Sequence, residues 1–140
     1  SCRRQSTRST KVPMKAHLLS IAALLVASSA AWADPANDKA MLELATHSGC
    51  MTCHQIESGA KGPDGLAPVG PPWSDVAAKY KGTKGAEKQL THIVMTGSNP
   101  YASHWKGKVS GLAMPPNEVA IKEADARRLV HWILKLDSKG

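Results

Sequence analysis

Two cysteines and a histidine lie within five residues of each other, in the segment Cys50-Met51-Thr52-Cys53-His54. The pattern Cys-x-x-Cys-His is the attachment signature of a c-type haem. Cysteines three positions apart face the same side of one helical turn, so both sulfurs can reach the two vinyl groups of a single porphyrin. His54 directly follows the second cysteine, which places its imidazole beneath the iron as an axial ligand. We therefore expect Cys50 and Cys53 to bind haem c covalently and His54 to bind its iron.

Residues 1–33 have the features of an upstream extension followed by a cleavable signal peptide. Met14 is the expected initiator, and the apolar run at residues 18–27 is too short to span a bilayer. Ala31-Trp32-Ala33 has the small-x-small form of a signal-peptidase site, so we expect the mature protein to comprise residues 34–140 as one domain. The alternative is an uncleaved membrane anchor. Cleavage would release the protein into the periplasm.

Charge and cysteine usage change once the leader is removed. The whole chain has a formal charge of +7, but five of its 18 basic side chains precede residue 34 while all 11 acidic side chains lie from that residue onward, which leaves +2. A nucleic-acid-binding function, which the overall charge would favour, thereby loses its support. Cys2 is removed as well. Cys50 and Cys53 are then the only cysteines, which is the number that one haem requires.

Helical periodicity and capping signals predict four helices, at about residues 34–48, 74–81, 86–96 and 122–137. Leu90, Ile93 and Val94 are expected to form the inward stripe of the third helix. No segment alternates with the period of a strand, so the βαβ pattern that a thioredoxin-like Cys-x-x-Cys pair needs is not visible. The connecting segments are rich in Gly and Pro. The expected architecture is all-α, with four short helices and loops that wrap one covalently attached haem.

A six-coordinate iron needs a second ligand on the face opposite His54. The candidates are Met41, Met95, Met114, His47, His92, His104 and His131. Met41 is expected on the inward face of the first helix, and His131 lies among core-facing neighbours in the last one. Met114 lies in an irregular segment, and the two prolines after it restrict the backbone that presents its sulfur. A thioether binds iron weakly and gains most from such preorganisation, so Met114 is favoured, with a second histidine as the alternative.

Four ordered motifs resemble the small bacterial class I cytochromes c of the c-551/c-552 type: Cys50-Met51-Thr52-Cys53-His54, Val69-Gly70-Pro71-Pro72-Trp73, Met114-Pro115-Pro116-Asn117 and Leu129-Val130-His131-Trp132. The resemblance implies a cytochrome c-like fold in which the first and last helices cross near the haem. It also implies that His54 and Met114 are the axial pair and that the Pro71 carbonyl accepts the other ring N–H of His54. Trp105 is expected to contact the haem, in a segment that is longer here than in the shortest family members.

The predicted function is periplasmic electron transfer by one His/Met-ligated haem c. Because protein side chains fill both axial positions, small ligands have no vacant site and no enzymatic reaction is expected. The alternatives are a haem-c enzyme and a ligand-binding sensor, each with an open or displaceable sixth coordination site. The resemblance implies redox partners, namely a terminal oxidase or reductase and an upstream quinol-linked donor, with neither nucleic acid nor stable membrane insertion.

Lysines outside the haem motifs suit a solvated face, or alternatively a surface that steers a partner. They are Lys79, Lys81, Lys84, Lys106 and Lys108.

Overall fold

The computed structural model describes residues 34–136. The leader predicted at residues 1–33, with Met14, lies outside the described residues, as do residues 137–140. The described part holds four α-helices and two single 3₁₀ turns, and it contains no strand beyond one isolated bridge. The helices are α1 (Pro35–His47), α2 (Trp73–Tyr80), α3 (Ala86–Thr96) and α4 (Glu123–Ile133), and the 3₁₀ turns are Cys50–Thr52 and Pro63–Gly65. The all-α prediction is confirmed.

Local chemistry at both ends of α1 explains its length. The Asp34 side chain accepts a hydrogen bond from the Ala36 amide at 3.1 Å, and Pro35 occupies the first helical position, where its missing N–H costs nothing. At the other end, Gly49 adopts a left-handed conformation with φ of +74°. A residue with a Cβ is strained in that conformation, whereas glycine is not. The helix therefore ends at His47, and the chain turns at Gly49 directly into Cys50.

Helix α4 is the centre of the packing, because it contacts each of the other three helices. Its apolar residues recur with the period of one helical face, and the side chains at these positions are buried: Ala126, Leu129, Val130 and Ile133. Met41 and Ala45 of α1 and Val76 of α2 join the same cluster. This core fixes the first helix, and hence the Cys50 turn that follows it, relative to α2.

Helix α3 spans the predicted residues, but its inward stripe differs from the prediction. Leu90, Ile93 and Val94 are only half-buried, whereas Ala86 and Thr91 are the buried residues of this helix. Burial of the threonine is tolerated because its hydroxyl donates to the Glu87 carbonyl at 2.7 Å. The stripe of larger side chains therefore lies at the border of the core.

A partly buried hydrogen bond joins the first and last helices. The Trp132 indole N–H donates to Asp38 Oδ1 at 2.7 Å, and the Trp132 side chain is almost fully buried. The edge of this indole meets the Trp73 ring, with centroids 5.9 Å apart and an interplanar angle of 88°. One side chain of α4 thus links α1 to the start of α2.

We predict that Asp38→Ala lowers the free energy of unfolding by about 1–3 kcal/mol, because it leaves the buried Trp132 N–H without its acceptor. The matched control is Asp125→Ala. Asp125 also lies in the first turn of its helix, but it pairs with the exposed Arg128, and such pairs are worth about 0–1 kcal/mol. Urea unfolding measures both variants. Equal losses would contradict the assigned role of the bond between α1 and α4.

Glu87 of α3 bridges to two side chains of α4. Its carboxylate oxygens lie 2.7 Å from Arg127 Nε and 2.9 Å from His131 Nδ1. These hydrogen bonds, first that from Arg127 and then that from His131, hold the pKa of Glu87 below its usual value. The neighbours of His131, Val130 and Trp132, are buried as predicted, whereas the His131 ring itself is exposed.

The lowered pKa predicts how stability depends on acid. Glu87 binds its proton less tightly in the folded state than in the unfolded state, so its contribution is complete above about pH 4.5 and is lost as the pH falls through the folded-state pKa. Glu87→Gln should therefore reduce stability at pH 7 and flatten the decline as the pH falls below about 4.5. Urea unfolding across this range, with Asp125→Asn as control, measures the effect. A decline as steep as that of the parent protein would contradict it.

Candidate functional site

The Cys50–Thr52 turn is a direct continuation of the chain from α1. The Thr52 amide donates to the Gly49 carbonyl, and the Cys53 and His54 amides both donate to the Cys50 carbonyl, at 3.3 and 3.1 Å. Residues three apart in a 3₁₀ turn eclipse one another, so Cys50 and Cys53 share one side. Both thiols are free, and no disulfide joins them. The turn therefore presents two sulfurs and an imidazole in one short stretch, as predicted.

Both cysteines are half-buried, and Cys50 packs against the hydrophobic core. Burial raises the pKa of the Cys50 thiol, and the neighbouring Cys53 acts in the same direction, while a backbone hydrogen bond opposes them. At neutral pH the Cys50 sulfur is thus a protonated thiol. The raised pKa makes this sulfur a poor ligand for a free metal ion, which takes the thiolate.

His54 is held by the carbonyl of Pro71. Its Nδ1 lies 2.8 Å from that oxygen, and because a carbonyl can only accept, Nδ1 carries the proton. Burial lowers the pKa of the imidazole, and the Pro71 bond only partly offsets this. The ring is therefore neutral at pH 7, with a free lone pair on Nε2. That is the form in which histidine binds a metal.

The ring of His54 is also stacked on Trp73. The two centroids lie 5.7 Å apart with an interplanar angle of 24°, and the Trp73 side chain is buried. Since Trp73 meets Trp132, and Trp132 bonds Asp38, a continuous set of contacts runs from His54 to α1. Sequence reasoning assigned Trp73 no contact with His54. Its position two residues after Pro71 was the available signal.

Gly70 completes the support of His54. Its amide donates to the Cys53 carbonyl at 2.8 Å, and an added Cβ would lie 2.9 Å from His54 Cε1 and 3.0 Å from Nδ1. Real Cβ atoms do not approach other atoms so closely. Only glycine at this position therefore lets the loop pass behind the imidazole without displacing it.

The main chain of Met114 is hydrogen-bonded to Ser98, which lies just after the C-terminal end of α3. Its amide donates to the Ser98 hydroxyl at 2.8 Å, and its carbonyl accepts from the Ser98 amide at 2.9 Å. Asn117 anchors the following turn, because its amide and its side-chain Nδ2 both donate to the Val94 carbonyl. Gly97 allows the close approach, since a Cβ there would lie 3.0 Å from the Met114 carbonyl oxygen. Sequence reasoning found the prolines, and Gly97 as the end of the third helix, but not the bonds of Ser98 to Met114 or the close approach of Gly97 to Met114.

The segments that carry His54 and Met114 are linked by the loop between them. The Ser110 and Gly111 amides donate to the Pro68 and Val69 carbonyls, both at 2.9 Å. Those carbonyls immediately precede the Gly70–Pro71 stretch that holds His54. Trp105, in the same loop, is half-buried and packs against the core.

The other candidate ligands of the iron are engaged elsewhere or exposed. Met41 is fully within the core, and His131 is bonded to Glu87. The His47 ring is bonded to the Glu43 carbonyl at 2.8 Å, and His104 lies 3.1 Å from the Lys108 ammonium. His92 is exposed, and Met95 is half-buried against the core.

The donor set fits a covalently attached haem. Two free thiols stand on one side of a turn, and the adjacent imidazole is neutral with its Nε2 unprotonated. Several apolar side chains pack on the core but remain partly exposed, which suits a large flat apolar group; among them are Met51, Ile56, Leu90, Val94, Met95 and Trp105.

A family model for cytochrome c matches residues 42–137, which contain every side chain of the site described above. The chain belongs to the cytochrome c family. Cytochrome c-551 of Allochromatium vinosum is 42% identical over 95 residues, which cover 68% of this chain and 84% of that protein. Cytochrome c2 of Rubrivivax gelatinosus is 38% identical over 94 residues, which cover 66% and 93%.

The fold agrees with that assignment. The crystal structure of wild-type cytochrome c552 from Nitrosomonas europaea matches with a TM-score of 0.53 and 35% sequence identity, over 68% of this chain and 98% of that one. The predicted resemblance to class I cytochromes c of the c-551/c-552 type is thereby confirmed. Membership of this family implies one covalently attached haem c, and the Cys50–His54 stretch is the corresponding motif. The protein is a small electron-transfer haem c protein.

We predict that Gly70→Ala displaces the His54 ring, because the new methyl group would overlap Cε1 and Nδ1. Overpacking of this kind costs about 1–3 kcal/mol of stability. The specific readout is the pair of ¹⁵N chemical shifts of the His54 ring, which report the Nδ1–H bond to Pro71. Gly107→Ala is the control. It strains a positive φ of +78° but meets no atom within 4 Å, so it should leave these shifts unchanged.

Proposed function

We propose that the protein carries single electrons in the periplasm, with haem c bound through Cys50 and Cys53 and with His54 and Met114 as axial ligands. When bound, haem c supplies an iron that alternates between the ferrous and ferric states. The observation that carries the proposal is the 2.8 Å bond from His54 Nδ1 to the Pro71 carbonyl. It leaves Nε2 unprotonated and fixes the plane of the ring.

Met114 is proposed as the second ligand because the backbone around it is rigid. Two hydrogen bonds to Ser98 and the prolines that follow hold its main chain, so little backbone entropy remains to be lost when the sulfur binds. A thioether opposite a histidine favours the reduced iron and raises the potential. Burial of the site acts in the same direction, because a low dielectric disfavours the extra charge of the ferric state.

A side chain on each axial position leaves no vacant site for a substrate. This supports a carrier over the haem enzyme and the ligand sensor, both of which require an open or displaceable position. We infer a contribution of Pro71 through the orientation of His54, and of Trp105 through contact with the haem. Trp105 is half-buried against the core, in the loop that is hydrogen-bonded to the Pro68 and Val69 carbonyls.

We further propose that residues 1–33 direct export and that the mature domain begins at residue 34. In the described residues no helix combines the length and the apolar character needed to cross a membrane. Expected partners are redox proteins, namely a quinol-linked donor and a terminal oxidase or reductase. Such complexes are short-lived and bury little surface, which lets the proteins separate after each transfer.

Met114→Ala tests the axial assignment. We expect loss of the ferric sulfur-to-iron charge-transfer band and a fall in midpoint potential of well over ~59 mV, the change that corresponds to a tenfold shift in a one-electron equilibrium. Near-infrared spectra and a redox titration measure the two effects. Met95→Ala is the matched control, because Met95 is also half-buried beside the core. Retention of the band and the potential in Met114→Ala would refute the assignment.

Carbon monoxide provides an independent test that needs no substitution. The ferrous protein should show no rapid spectral change with this gas at neutral pH, because Met114 occupies the sixth position. A rapid change in the parent protein would favour the enzyme or the sensor.

A further inference from the structure

The hydrogen bond to Pro71 does not by itself fix the plane of the His54 ring. The torsion about the Cβ–Cγ bond of histidine has broad minima, so the side chain's own preferences leave that plane undetermined. A hydrogen bond loses little strength while its angle stays above about 150°, so the Pro71 carbonyl alone would tolerate a tilt of up to about 30°. Groups in a precise functional site are held within about 10–20°. A second contact is therefore needed to hold the imidazole.

The indole of Trp73 provides that contact. It is stacked on the His54 ring, with centroids 5.7 Å apart and an interplanar angle of 24°. These values are within the range of offset-stacked aromatic pairs, in which the face of one ring covers part of the other. A tilt of the imidazole about its bond to Pro71 would bring its edge towards the indole, where close packing resists it. The stack thus restricts the motion that the hydrogen bond leaves free.

The main chain of Trp73 is bonded directly to the segment that carries His54. The Trp73 amide donates to the Gln55 carbonyl at 2.8 Å, and the Ser74 amide donates to the Ile56 carbonyl at 3.0 Å. Gln55 immediately follows His54 in the chain, so only one residue and one hydrogen bond separate the backbones of the two stacked residues. The first residue of α2 is therefore held at a set position relative to the imidazole.

The side chain of Trp73 is held as firmly as its backbone. It is only 4% exposed and belongs to the hydrophobic core. Its second aromatic contact is with the edge of Trp132, at an interplanar angle of 88°, and the Trp132 indole is held in turn by its hydrogen bond to Asp38. A parallel contact with one ring and a perpendicular contact with another together restrict rotation of the indole. Trp73 therefore offers the imidazole a fixed plane.

We propose that Trp73 is a positioning residue for electron transfer, whose indole sets the plane of the His54 imidazole while Pro71 sets its tautomer. This inference rests on the proposed function, because it requires that His54 binds the iron. Groups that orient a metal ligand also tune the metal. In low-spin ferric iron, the plane of a bound imidazole helps to determine the direction of the half-filled orbital. Trp73 thereby affects the electronic structure of the centre through His54.

The test compares three variants of the holoprotein. Trp73→Leu keeps an apolar side chain but removes the flat face that contacts His54. Trp73→Phe restores a flat face of smaller area and should therefore rescue the orientation of the ring. The control is Ile121→Ala, because Ile121 is buried to the same degree as Trp73 in the same hydrophobic cluster but lies outside α2. This substitution weakens the core and leaves the stack in place.

Proton NMR of the ferric protein measures the effect, because the paramagnetic shifts of the haem methyl groups depend on the plane of the axial imidazole. We expect Trp73→Leu to change the order and the spread of these shifts, and Trp73→Phe to return them most of the way to the parent pattern. Ile121→Ala should lower stability in urea but keep the parent pattern. A parent-like pattern in Trp73→Leu, or an equal change in Ile121→Ala, would overturn the proposal. Failure of Trp73→Phe to restore the pattern would also overturn it.

A measurement on the parent protein decides the question even if Trp73→Leu does not fold. The ferrous low-spin protein is diamagnetic, so nuclear Overhauser effects between the ring protons of His54 and Trp73 can be recorded in it. We expect such effects, because the two rings are stacked. Their absence would show that the indole does not contact the imidazole in the haem-bound protein, and the proposal would then be wrong.

The axial ligands are monitored separately, so that failure of this inference and failure of the proposed function can be told apart. The ferric sulfur-to-iron charge-transfer band should persist in all three variants, because none of them changes His54 or Met114. An unchanged methyl pattern in Trp73→Leu, with the band present, counts against the role of Trp73 alone. Absence of the band from the parent protein would instead refute the axial assignment of the proposed function.

Discussion

The hydrogen bond between His54 Nδ1 and the Pro71 carbonyl is the contact on which the site depends. It determines which ring nitrogen carries the proton, and burial keeps the ring neutral, so Nε2 is ready to bind iron. The bond exists only because the loop after His54 returns to pass behind the imidazole, at the distance that Gly70 permits. The ring is further held by Trp73, which the core of α4 supports through Trp132. The packing of the helices is thereby transmitted to one imidazole.

Much of this arrangement could be predicted from the sequence, because short patterns determined it. The limits of α3, the cap at Asp34, the stop at Gly49 and the order of the haem motifs all depend on residues close in the chain. The pairing of His131 with Glu87 could not be predicted, because the two residues are 44 positions apart in the sequence.

The contacts of Trp73 and Ser98 could not be predicted from the sequence for the same reason. Tryptophan and serine have no characteristic partner that a sequence pattern could indicate. Their contacts form only when separate segments of the chain meet in the fold. Trp73 contacts His54 through the loop that returns behind the imidazole, and Ser98 contacts Met114 at the ends of a closed loop. Short sequence motifs therefore identified the candidate functional residues. Tertiary packing decided which residues hold them in place.

The backbone supports on the two sides of the site bear on how quickly electrons can move. Met114 and the His54 ring are each held by hydrogen bonds to main-chain or hydroxyl groups. The backbone at Gly70 packs closely against His54, and the backbone at Gly97 packs closely against Met114. Groups fixed in this way need shift only slightly when the charge of the centre changes by one unit. The nuclear reorganisation that accompanies each transfer is correspondingly small. For the proposed His54/Met114 pair, the close contacts at the two glycines should therefore lower the barrier to transfer as well as set the geometry.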